Sequence, residues 1–118
     1  TEGCVAAKAS DYYLKALELI KKEDKDDPRL ESVSLQRADM LLQCAAWKDA
    51  EKAYGSFVKD FRDSNCVYTA QLGQAHAMAM GGDKGGALKL IEKLLKDDEA
   101  SSIHPAAETL KSELTQEE

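Results

Sequence analysis

The sequence has no cluster of Lys and Arg, no long apolar run and few aromatic residues; the first two shortages each remove a class of function, and the third implies a core of small and aliphatic side chains. Nucleic-acid binding rests on clustered basic side chains; here 16 basic residues face 22 acidic ones, for a formal net charge of -6. An acidic membrane surface would repel the same balance. No stretch approaches the roughly 18 consecutive apolar residues of a spanning helix, and no signal-peptide hydrophobic region is present, so this segment is expected not to insert into a membrane. The chain opens on Thr1 rather than Met, which leads us to expect that something upstream was removed.

Cysteine and histidine are equally sparse. Cys4, Cys44 and Cys66 are far apart, odd in number and at neither metal-ligand nor redox spacing. The simplest expectation is three free thiols acting as small hydrophobes. Against it stands one bond: antiparallel pairing of the first two helices brings Cys4 near the end that holds Cys44, and an oxidising compartment would join them while Cys66 stays apart. Of the two histidines, His76 is flanked at helical spacing by Leu72, Gly73, Ala79 and Met80, with no carboxylate to share a metal, and His104 sits at a helix start, where capping is the ordinary role. No nucleophile has a base in reach. The reading is a chain that is not an enzyme, with no metal and no cofactor.

What the sequence does contain is helical periodicity. Between Glu31 and Ser64, apolar residues fall at Ala38, Leu41, Leu42, Ala45, Trp47, Ala50, Tyr54, Phe57, Val58 and Phe61, a three-and-four spacing that breaks once and resumes. That is a helical hairpin, with small residues (Ala38, Ala50) where two backbones must approach. Before it, residues 4–24 carry Val5, Ala6, Ala9, Tyr13, Ala16, Leu17 and Ile20 on one face. Asp27 and Pro28 supply a cap and a preset first turn for the second helix, which should run to about Cys44. Helices follow from about Trp47 to Phe61, from about Cys66 to Met80, and from about Lys84 to Lys96. Gly81 and Gly82 end the fourth and Asp83 caps the fifth, whose opening turn is weakened by Gly85 and Gly86. A sixth starts at His104 and Pro105 and ends the packing near Thr115. The charge runs Glu23 to Asp27 and Lys96 to Glu99 read as solvated loops.

The hairpin repeats. Ala38, Leu41, Trp47, Ala50, Tyr54 and Val58 correspond at a constant offset of 37 residues to Ala75, Met78, Lys84, Ala87, Ile91 and Leu95. The order Ala9, Tyr13, Ala16, Leu17 also echoes Ala50, Tyr54, Phe57, Val58, so the first helix reads as the second half of another hairpin. This pattern resembles the tetratricopeptide repeat, whose period is about 34 residues. The resemblance implies an all-α, right-handed superhelical stack of antiparallel hairpins with about six helices in a single domain, 1–118: an N-terminal helix (4–24), repeats at 28–61 and 66–96, and a closing helix (104–115). The copy departs from the family pattern: Arg62 replaces the usual proline, Lys84 replaces an aromatic, and the glycine expected near Ala45 is absent.

Within the family, FVKDFRDS, a GGD turn, LLKDD and HPAAETL are most similar to bacterial cell-envelope members: Tol-Pal-associated periplasmic proteins, outer-membrane assembly lipoproteins and inner-membrane-anchored translocon-associated proteins. That likeness implies a scaffold or adaptor in the periplasm; the alternative compartment is the cytoplasm. In such a stack the first helix of each hairpin lines the concave face. This selects Gln36, Asp39 and Gln43 on the second helix and Leu72, His76 and Met80 on the fourth, as a groove for a peptide or partner protein. The Lys, Asn and Arg clamp by which some relatives hold C-terminal carboxylates is missing, since the fourth helix has no Lys, Arg or Asn. A second expectation is structural self-association as a homodimer through an exposed end of the stack, where Val5, Ala6, Ala9 and Tyr13 would lack cover.

Overall fold

A computed structural model describes residues 6–116, with side chains from 11 to 116. It contains six α-helices: α1 (Ala6–Glu23), α2 (Arg29–Gln43), α3 (Trp47–Asp60), α4 (Val67–Met80), α5 (Lys84–Lys96) and α6 (His104–Gln116). Among the described residues there is no strand. The starts of α2 and α5 follow from local chemistry. Asp27 accepts from the backbone N–H of Arg29 at 2.8 Å and pairs with its guanidinium at 2.7 Å, which holds the Asp27 carboxyl below the usual carboxylate range. Asp83 accepts from the N–H of Gly86 at 2.9 Å, and a Cβ on residue 86 would strike that carboxylate, so the glycine that weakens the turn also makes room for its cap. Gly82, at φ +108°, turns the chain out of α4.

Each helix packs on the next in sequence, while α2 also touches α4 and α4 touches α6. The result is a slab of 47 × 37 × 18 Å, with a radius of gyration of 14.8 Å. A compact domain of this length would have about 13.5 Å, so the helices are laid side by side in two layers. The expected offset of 37 residues reappears as burial: Ala38 and Ala75 are both sealed from solvent, as are Ala50 and Ala87, and Tyr54 and Ile91 are both core residues. Alanine at these crossings lets neighbouring helix backbones approach closely.

The core falls into two clusters, the first around Leu41, Tyr54 and Phe57, the second around Ile91, Leu94 and Leu114. Uncharged α4 serves both, giving Ala70 and Ala77 to the first and Ala75 to the second. A helix without charged residues can be covered on opposite sides. Trp47 is half-buried at the start of α3, against the end of α4 at Gly81. The segment after Lys96 is not a solvated loop: Asp98–Ile103 forms a 3-10 helix that buries Ala100 and Ile103, and the hydroxyl of Tyr68 on α4 reaches Glu99 at 3.2 Å. His104 caps the helix before its own, with Nε2 2.9 Å from the carbonyl of Leu94 and 3.0 Å from that of Asp97; two carbonyl partners require Nε2 to carry the proton.

The three thiols do not share one fate. Cys66 is free and packs against the first core cluster, whereas Cys44 is disulfide-bonded. Cys4, with the pairing considered for it, lies outside the described residues, as do Val5 and the chain end beyond Gln116.

Candidate functional site

Two adjoining depressions meet at Asp39 on α2. One, of about 350 Å³, is lined by Glu31, Leu35, Gln36 and Asp39 of α2 and by Cys66 before α4. The other, of about 420 Å³, runs from Asp39 across Thr69, Leu72, Gly73 and His76 of α4 to Ala106, Thr109, Leu110 and Glu113 of α6. The groove therefore crosses α2, α4 and α6, alternate helices in the chain.

Its centre is built by contacts from deeper in the fold. Tyr54 belongs to the α3 face that packs on α4, and its ring lies on the backbone of Gly73, so close that a Cβ there would come within 2.7 Å of it. With no side chain at 73 to stop it, the ring passes through to the groove and its hydroxyl donates to Asp39 Oδ1. Burial first, and the Asp39 carboxylate second, push the Tyr54 phenol far above its ordinary value. The groove floor thus carries a fixed neutral donor beneath an acceptor that remains exposed to solvent. At the α2 end, the hydroxyl of Ser64 donates to Glu31 and accepts from the N–H of Cys66 at 3.0 Å, which ties the α3–α4 turn to α2.

The charge of the groove has one sign. Glu31, Asp39 and Glu113 line the two depressions, and among the described residues no Lys or Arg lines either. His76 is the one titratable nitrogen base among the lining residues, and it is exposed. Among the described residues, no group of three His, Cys, Asp or Glu side chains is placed to hold a metal ion. No described helix is long and apolar enough to cross a membrane.

Of the six residues selected from sequence, Gln36, Asp39, Leu72 and His76 line the groove, while Gln43 and Met80 line neither depression. Gln43 and Met80 are exposed at the C-terminal ends of their helices, past the last groove-lining positions on α2 and α4. Sequence reasoning missed the Tyr54 hydroxyl, which it assigned to the core, and the α6 face from Ala106 to Glu113, which it assigned to closure of the stack. Ala107 is sealed like Ala38 and Ala75, so α6 repeats the role of α2 and α4, but it follows Ala75 by 32 residues and so lies off the 37-residue offset of the sequence.

A larger furrow of about 480 Å³ lies elsewhere, between α1 and α3, which make no close backbone contact across α2. Its floor is apolar (Leu17, Leu30, Phe57, Phe61), and its charges balance, with Glu18 and Asp60 against Lys21 and Arg37. Comparison with protein families, with curated proteins and with solved structures finds no match to this chain, so its function is read from these surfaces themselves.

Proposed function

We propose that the chain is a non-enzymatic interaction module, a tetratricopeptide-like right-handed stack whose concave groove holds an extended peptide or a partner protein's tail. The recurrence of sealed alanines at Ala38, Ala75 and Ala107 supports the stack, because equivalent crossings place α2, α4 and α6 in one row. The observation that carries the binding reading is the one-signed lining. Three carboxylates and no Lys or Arg surround a half-buried Leu72, so the complementary ligand is a segment bearing Lys or Arg beside a small apolar anchor. With helix axes about 9 Å apart, the row from α2 to α6 spans about 18 Å, which about six extended residues would cross. The disulfide at Cys44 supports residence in an oxidising compartment such as the bacterial periplasm or cell envelope.

The test is a panel of synthetic hexapeptides that share one apolar residue and differ in charge, titrated into the protein by calorimetry. Basic members are expected to bind and acidic ones not. Reversing the α6 edge with Thr109→Lys and Glu113→Lys, both exposed in the fold, should abolish binding while leaving the melting temperature unchanged. Equal affinity for acidic and basic peptides would contradict the reading.

A further inference from the structure

Large apolar side chains are strongly exposed on α1 in a way that the groove does not use. Tyr12 is 72% exposed and Leu19 67%, seven residues apart and therefore on one stripe of the helix. Beside that stripe, Asp11, Lys15, Glu18 and Lys22 follow one another at spacings of four, three and four, all exposed and alternating in sign. None of the four closes an ion pair with another described residue. The helix also differs in charge from the rest of the chain. Four lysines against three carboxylates make α1 positive by one, within a chain of net charge -6.

We propose that this face of α1 binds a second copy of itself, antiparallel, about a two-fold axis between Lys15 and Ala16. In that register Tyr12 of one copy meets Leu19 of the other, twice by symmetry. The small side chain of Ala16 at the centre lets the helix axes approach. The alternating charges then fall into complementary places. Lys15 comes within about 3 Å along the axis of Glu18 of the second copy, and Asp11 of Lys22, each twice and within reach of these side chains, so the flank of the helix is its own electrostatic complement in the reversed direction. A parallel pairing in register would instead set like charges level along the whole flank. Because the rest of the chain is acidic, the positive helix is also the surface on which two copies repel least. The contact is one helix long, below the size of a standard stable interface, so the dimer dissociates on the order of micromolar. This assignment is independent of the groove: α1 contributes no residue to it.

Sedimentation equilibrium over a wide concentration range tests it. The chain is expected to pass from monomer to dimer, and Leu19→Glu to stay monomeric with an unchanged helical signal and melting temperature. The register is read from charge variants. Lys15→Glu alone and Glu18→Lys alone should each self-associate about tenfold more weakly, because each sets like charges against each other. An equimolar mixture of the two should form a heterodimer at least as readily as the native chain does its homodimer. A concentration-independent monomer would overturn the proposal, as would a mixture that pairs no better than either variant alone.

Discussion

The hydroxyl of Tyr54 donates to the carboxylate of Asp39 through the gap left by Gly73, so a ring that completes the core of α3 and α4 also orients an acceptor in the groove. Core and binding surface meet in this pair. A methyl group at residue 73 would occupy the space of the ring, and Tyr54, fixed among Leu41, Phe57 and Ala70, has nowhere to move. Gly73→Ala is therefore expected to destabilise the fold by about 2 kcal/mol despite the better helix propensity of alanine, read as a shift in the urea midpoint. A neutral or stabilising effect would show that the ring does not rest on α4.

The same pair sets a pH dependence. The folded state holds the Tyr54 proton well above pH 10, whereas the unfolded state releases it near 10. Above that pH the unfolded state binds fewer protons, so stability is fully present below about pH 10 and falls as pH rises. Tyr54→Phe should lower the neutral plateau by about 1 kcal/mol, for the lost hydrogen bond, and flatten the alkaline decline. Urea titrations at pH 7, 9 and 11 check it; parallel declines in the two proteins would remove Tyr54 as the cause.

Ala45 occupies the left-handed region at φ 61°, in the turn between α2 and α3. This is where the tetratricopeptide resemblance calls for glycine, and the backbone adopts the glycine conformation without the residue. Ala45→Gly is expected to stabilise the protein by about 0.5–1 kcal/mol, since glycine takes that conformation with no clash of Cβ on the carbonyl. Chemical denaturation measures it; a loss of stability would mean that the entropy of the added glycine outweighs the relieved strain.

The disulfide at Cys44 and the free thiol at Cys66 give a count. Titration of the denatured, unreduced protein with a thiol reagent should find one reactive group per chain, and reduction should lower stability by about 3 kcal/mol. Three reactive groups would contradict the bond.

Much of this architecture is legible along the chain because its packing is local and repeated. Ala38 and Ala75, or Ala50 and Ala87, announce close helix crossings by being small at the same place in each repeat, and Asp27 and Asp83 announce helix starts through hydrogen bonds that span two or three residues. The groove is less legible because its chemistry depends on residues from different helices. Helical spacing extends the stripe of Gln36 and Asp39 to Gln43, but the lining on α2 ends at Asp39. The direction of the Tyr54 hydroxyl depends on an absent side chain on another helix, which no pattern on α3 encodes. Spacing likewise could not decide whether Cys44 is bonded, since that depends on how the ends of helices meet.

The most direct test of the account is where a basic peptide lands. In the amide spectrum of the labelled protein, titration with a hexapeptide of alternating Lys and Ala should shift Asp39, Leu72, His76 and Glu113, on three different helices, and leave Leu17, Leu30 and Phe61 of the opposite furrow in place. Shifts confined to the furrow, or none at millimolar peptide, would contradict the assignment of the acidic groove as the binding surface.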